Sequence, residues 1–423
     1  MHIRILRTFS GITIGAALLA ACSGVPQAQL PTTATSPPAT PGALAPTPGA
    51  TALVQPAPAI TSTPAEEAIK AGIQQTLDRY AQAYNENNPD LLEQIVDQSN
   101  APFRRLVRWA FDFYRPSNPS GQGKHTFRVK AIKPRALDFV QAQVEREDGQ
   151  IADWLFRQVG GTWLLSEPTE EQIGPRETIE SAHFMFYTYP WAEDINPTLI
   201  ELMEQARSKV LDRLGRVPEQ KANVYIRPIF GIGSPENPLT VAYYRSGRDI
   251  AADRMVIFAP HSFSFGFYDP AIGWEPELQS VLTHEYTHLV TNRAFTPIAR
   301  MSDWMSEGIA EYVADNPRTA AVRAAVRAGH IIPIVDRSGR INKQDLEHLT
   351  ILEKDSDRAL AYGFAYSLVA YIAEQYGGLE GWWKFVRAYD QAQNLDKALR
   401  DAFGISYEQF DSGWRAWLQE HYR

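Results

Sequence analysis

At 423 residues the chain has room for two or three domains of roughly 150 residues each. Its 44% hydrophobic and 21% charged content excludes a chain disordered throughout, and a net charge of −8 gives nucleic acid no electrostatic reason to bind. A single cysteine excludes an intrachain disulfide, a thiolate zinc cluster and an iron–sulfur centre, so any metal has to be held by His and carboxylate.

Arg4 and Arg7 precede an uncharged apolar run from Phe9 to Ala21, the length of an export signal's core and too short to span a bilayer. It ends Leu19-Ala20-Ala21-Cys22, which resembles a bacterial lipobox. That resemblance implies residues 1–22 as a lipoprotein signal, with lipid on Cys22. The protein would then be exported and anchored to the bacterial cell membrane, facing outside the cytoplasm. Residues 23–64 hold ten prolines and no Asp, Glu, Lys or Arg. Such a segment cannot bury enough surface to offset chain entropy and reads as a disordered tether.

Folded sequence is expected from Ala65. Apolar residues at helical spacing predict a helix from Ala65 to Asn85, with shorter ones over Pro89–Asp97 and Pro102–Tyr114. Pro116 to Gly121 breaks the chain. Strands follow over His125–Ile132, Ala136–Arg146, Ile151–Val159 and Thr162–Ser166, with Asp148-Gly149 and Gly160-Gly161 as turns. A long helix, short helices and then an antiparallel meander resemble the cone-shaped α+β fold of nuclear-transport-factor-like and SnoaL-like domains. Residues 65–170 are therefore expected to be an accessory domain without its own catalytic constellation.

Pro168–Pro175 reads as a linker. Beyond it the pattern gives a strand near His183–Tyr189, a helix over Pro197–Leu214 and a strand over Ala222–Arg227. A Gly/Pro loop at Gly231–Pro238 follows, then strands near Thr240–Tyr244 and Arg254–Ala259. From Pro276 onward the chain reads as helical. Ala359–Ala373 is apolar but too short for a membrane span. Phe263, Phe265, Phe267 and Tyr268 are core residues or pocket lining, and His183 and His261 are structural or at a cleft rim.

The chemistry lies in His284-Glu285-Tyr286-Thr287-His288. On a helix, residues four apart share a face, so both imidazoles can meet one Zn²⁺ while Glu285 stays within reach of a bound water. Eighteen residues separate His288 from Glu307, which stands in Asp303-Trp-Met-Ser-Glu307-Gly-Ile-Ala-Glu311-Tyr312 on a second predicted helix. Two neutral imidazoles and one carboxylate leave the ion Lewis-acidic with an open position. Ser302 or Asp303 is a candidate cap for this second helix, and Gly308 is expected to bring it close to the first. Glu311, four residues on, is placed to accept the outer N–H of a zinc-bound imidazole, His284 first.

These motifs resemble the gluzincin metallopeptidases, the group of thermolysin and aminopeptidase N, and most closely the peptidase MA-like domains of bacterial surface proteins. The resemblance covers roughly residues 176–423, down to Phe403-Gly-Ile-Ser-Tyr-Glu-Gln-Phe-Asp…Trp414. It implies an α+β protein whose small mixed sheet and helical lobe follow the accessory domain, with one Zn²⁺ per chain and a peptide or protein substrate. It also implies hydrolysis by a zinc-bound water with Glu285 as general base, and a tyrosine assisting the oxyanion. Tyr362 and Tyr366 both fall in the right region, Tyr362 the first choice. The Gly-x-Met-Glu-Asn motif with which exopeptidases hold a free amine is missing. Endopeptidase action is therefore favoured, with the strand Arg254–Ala259 offered for pairing with an extended peptide. Two other readings stay open: a non-catalytic surface binding lipoprotein with a zinc-loaded domain, and a zinc hydrolase of a non-peptide bond.

Overall fold

A computed structural model describes residues 63–114, 124–230, 241–295, 301–337, 344–352 and 355–423. Cys22, the export signal, nearly all of the tether, the break at Pro116 and the loop Gly231–Pro238 lie outside the described residues.

Helix α1 (Pro64–Asn85) begins where the Thr63 hydroxyl accepts the Glu66 N–H at 3.2 Å. The last two residues assigned to the tether therefore cap and open the first helix. After a 3₁₀ turn at Pro89–Gln94 and α2 (Ala101–Tyr114) comes an antiparallel meander. Its strands β1 (Phe127–Pro134), β2 (Phe139–Arg146), β3 (Ile151–Val159) and β4 (Thr162–Leu165) pair in chain order. The β3–β4 hairpin turns on Gly160 and Gly161, both with φ above zero (57° and 83°), as a tight two-residue turn requires. Helix α1 packs across β1 and β4, burying Ile73, Leu77 and Tyr80 against Phe127, Trp154 and Leu165.

The second unit opens with β5 (Glu177–Glu180), a strand the sequence pattern did not reveal, and β6 (Phe184–Thr188). Helix α3 (Asn196–Leu214) crosses over to β7 (Ala222–Arg227); β8 (Ala242–Arg245) and β9 (Arg254–Phe258) complete the sheet. The order is β5-β6-β7-β9-β8, parallel at β6–β7 and β7–β9 and antiparallel at both edges. This corrects one expectation. The strand over Arg254–Ala259 is β9, hydrogen-bonded on both sides, so it cannot take up a peptide; among the described residues the edge strand beside the helical lobe is β8.

The lobe consists of α4 (Glu275–Arg293), α5 (Asp303–Ala314), α6 (Thr319–Arg327), α7 (Asp355–Gln375), α8 (Gly378–Ala392), α9 (Leu395–Phe403) and α10 (Tyr407–Tyr422). No helix among the described residues is long and apolar enough to cross a membrane; α7 is a core helix instead. Gly308 also departs from expectation. A Cβ there would lie 2.5 Å from the Ala365 carbonyl oxygen, so this glycine lets α5 close on α7, not on α4.

The two units share an interior. Ile173, in the expected linker, is buried with Phe139 and Leu155 of the first unit and Trp191 and Ile229 of the second. Tyr268 and Ile151 exchange backbone hydrogen bonds at 2.8 and 2.9 Å, and the Tyr268 hydroxyl donates to Asp153. Phe263 packs edge-on against Phe103 and lies 5.1 Å from the Trp154 ring, inside the first unit's core. Glu167, at the end of the first unit, is buried and accepts the N–H groups of Phe230 (3.0 Å) and Phe263 (2.8 Å). The aromatic run before α4 is thus core, divided between two cores, and no pocket is needed to account for it. His261 is buried at the same junction beside Trp191; burial, then the Arg135 charge, push its imidazole down to about 3, so it stays neutral.

Candidate metal centre

Helix α4 starts with Glu275, Pro276 and Glu277 in its first turn and ends on Arg293, each favourable to the helix dipole or the first-turn geometry. Its second half is buried all round, from Thr283 to Thr291, between α3, α5 and β8. Three threonines remain compatible with that burial because their hydroxyls bond back to carbonyls of the same helix, Thr283 to Gln279, Thr287 to Thr283 and Thr291 to His288. The Arg293 guanidinium bonds the buried Asp253 carboxylate and the Gly247 carbonyl, which ties the end of α4 to the β8–β9 hairpin.

His284 and His288 leave α4 on one face, and α5 delivers Glu307 to the same point. The three atoms His284 Nε2, His288 Nε2 and Glu307 Oε2 stand 3.1, 3.1 and 3.3 Å apart. Donors at about 2.0–2.1 Å from a tetrahedral zinc are themselves roughly 3.3 Å apart, so this triangle has the dimensions of one face of such a site. Glu307 is fully buried, and its other oxygen has no hydrogen-bond partner. An unshared buried carboxylate oxygen is costly unless a cation stands beside it. Both the geometry and the chemistry of the donors fit a Zn²⁺ ion. Among the described residues no other three His, Cys, Asp or Glu side chains converge in this way.

The surroundings orient these groups. Burial works to raise the Glu307 carboxyl, but His288 and His284 overcome it and hold Glu307 well below the ordinary carboxylate range. Burial disfavours the His284 cation, yet Glu307 and Glu311 raise its affinity for a proton on balance. A dication in the triangle would take the place of that proton. Ser306 Oγ stands 3.3 Å from His288 Nδ1, and Glu311 Oε1 lies 3.7 Å from His284 Nδ1. Glu311 therefore faces the imidazole that the sequence assigned to it, and Ser306 is a neighbour that the sequence gave no reason to single out.

Glu285 points to the sheet. Its Oε2 accepts the backbone N–H of Tyr244 at 2.8 Å, while Oε1 is buried and unpartnered. Burial pushes this carboxyl up to about 8; a nearby dication would lower it. The contact with β8 is made by a backbone amide, so no side-chain identity announced it. Of the two tyrosines, Tyr362 is buried with its ring 6.3 Å from that of His284. Burial first, then Glu307 and Glu311, raise its hydroxyl well above the ordinary value. Tyr366 instead packs against Tyr312, 5.6 Å between ring centres. His183 is engaged with Glu204 of α3.

Two histidines of one helix, a glutamate from the next and a second glutamate with one unpartnered oxygen beside them make the arrangement of a zinc-hydrolase centre. Residues 266–420 match the model of the Peptidase MA superfamily, which supports a zinc metallopeptidase domain over that segment. An M1 zinc metallopeptidase from Deinococcus radiodurans is similar in structure at 13% identity and a TM-score of 0.30, over 70% of this chain and 61% of that one. A two-domain M1 zinc metallopeptidase mutant bound to L-arginine gives 13% identity and 0.30, over 70% of this chain and 60% of that one. The chain spans about six-tenths of the length of these structures, and a likeness of that size decides nothing about the reaction. No curated protein sequence matches the chain.

Proposed function

We propose that the chain is a zinc-dependent peptidase, exported and held to the bacterial membrane by lipid on Cys22, that cuts internal bonds of extended peptides. The observation that carries the reading is the triangle of His284, His288 and Glu307 with the unliganded Glu285 next to it. What Zn²⁺ supplies in such a site is Lewis acidity toward water and the scissile carbonyl. Glu285 takes the proton of the attacking water and passes it to the leaving amine. The Tyr362 hydroxyl donates to the developing oxyanion, and Glu311 and Ser306 fix the two imidazoles.

Substrate is laid beside β8, the edge strand of the described sheet, whose Tyr244 amide meets Glu285. With no free-amine motif in the sequence, that edge favours endopeptidase action. The purified protein is expected to carry one zinc and to cleave a denatured protein, with loss of cleavage on chelation and recovery when zinc is returned. Bound zinc without turnover of any peptide would select the binding-protein reading; turnover of esters alone would select a non-peptide hydrolase.

The anchoring half of the proposal rests on Leu19-Ala20-Ala21-Cys22 and the charge-free tether. Expressed in a bacterium, the wild-type chain is expected to sediment with membranes and to incorporate radiolabelled palmitate. Cys22→Ser is expected to lose the label; a Cys22→Ser protein that keeps it would refute lipidation at this residue.

A further inference from the structure

Arg318 stands outside the ligand set, yet one side chain reaches both groups proposed to steer the chemistry. Its Nη2 donates to Glu311 Oε1 at 3.1 Å, the same carboxylate oxygen that faces His284 Nδ1. Its guanidinium carbon lies 5.3 Å from the centre of the Tyr362 ring. Glu311 is almost wholly buried, with this cation and the imidazole as its two charged or titratable neighbours at contact distance.

Two backbone features hold Arg318 there. It is in the left-handed region (φ 46°, ψ 39°), where a residue with a Cβ is strained, and it opens α6 directly after Pro317. Gly363, the neighbour of Tyr362, makes room for it. A Cβ on Gly363 would come within 3.2 Å of Arg318 Cβ and 2.6 Å of Val322 Cγ2. Strain is thus accepted at one residue and a side chain is omitted at another, and both place the guanidinium between Glu311 and Tyr362.

We propose that Arg318 is a positioning residue of this centre, fixing Glu311 against His284 with one arm of its guanidinium while the guanidinium stands over the Tyr362 ring. The proposal rests on the zinc-peptidase reading, since it takes His284 as a ligand and Tyr362 as the oxyanion donor. Lysine is a poor replacement, because a compact ammonium on a flexible stem does not both reach the Glu311 oxygen and cover the Tyr362 ring as the broad guanidinium does.

The test measures zinc affinity by competition with a chelator on the full chain, apart from any activity. Arg318→Lys keeps the charge and is expected to weaken zinc binding about tenfold, the range seen when the partner of a metal-bound imidazole is disturbed. Arg318→Gly relieves the left-handed strain while deleting the side chain, so it is expected to fold. Removing a cation near a dication would by itself tighten binding; weaker binding in Arg318→Gly therefore reports lost positioning. Glu311→Gln is expected to weaken zinc similarly, and Arg318→Lys added to it to cost little more. An Arg318→Lys or Arg318→Gly protein that melts earlier but binds zinc within twofold of wild type would overturn the proposal, as would full additivity with Glu311→Gln. A wild-type protein that binds zinc but cleaves nothing would sink the peptidase reading alone, because the affinity cycle is read without turnover.

Discussion

Glu285→Gln is expected to abolish cleavage while zinc stays bound. The side chain is not among the three converging ligand atoms, and one of its oxygens is occupied by the Tyr244 amide. A glutamine can still accept that N–H through its own carbonyl, so the fold around β8 is preserved. What it loses is the capacity to take up a proton, a role worth roughly 10²–10⁴ in rate. Metal content and turnover measured on one preparation give the answer: rate down by at least about a hundredfold with zinc unchanged. A variant that loses both would instead make Glu285 part of the metal's support, and one that keeps turnover would remove it from the reaction. Tyr362→Phe is expected to behave differently, with zinc retained, KM close to wild type and kcat down by about 10²-fold, the loss that follows deletion of one oxyanion donor. A fall in zinc content with Tyr362→Phe would place the ring in the scaffold.

The convergence of His284, His288 and Glu307 was legible in part because one half of it is local, while Glu307, on a second helix, stood out only through its motif. One helical period fixes His284 against His288, and Pro276 and Asp303 mark where two helices begin. Glu311 was legible for the same reason, four residues from Glu307 on one face. What the pattern did not carry is anything set by the order in which elements pack. Gly308 announced a close approach but not its partner, since α5 has a neighbour on either side and only the tertiary arrangement puts α7 against that glycine. The strand that became β9 is apolar over its last four residues, as suits a strand inside a sheet, and nothing in those residues marked it as an edge that could pair with a peptide. Arg318 lies after a proline in an otherwise ordinary polar stretch; its left-handed backbone has no signature in a residue that is neither Gly nor Asn. Ile173 was one apolar residue among acids and prolines, too little to mark the linker as packed.

Glu167→Ala is expected to destabilise the whole chain by about 2–4 kcal/mol, because two buried backbone N–H groups, those of Phe230 and Phe263, lose their acceptor. The consequence reaches beyond the first unit. Phe263 lies between β9 and α4 in the chain and Phe230 lies three residues after β7, so the carboxylate ties the first unit to the second sheet and to the segment that leads into α4. Denaturant unfolding of the wild type, followed by tryptophan fluorescence and by zinc release, is expected to give one coincident transition; two separated transitions would show that the units are independent modules joined by a linker. Burial raises the Glu167 carboxyl to about 7 from an ordinary 4.5, the two N–H groups pulling the other way. A group that holds its proton more tightly when folded contributes stability that is full below its unfolded value and lost as pH rises through its folded one. Wild-type stability should therefore carry a component of about 3 kcal/mol that declines between pH 4.5 and 7. In Glu167→Ala that component of the slope should vanish, and an unchanged slope would assign the pH dependence to another group. If both expectations hold, the first unit is part of the wall on which the metal helix is built.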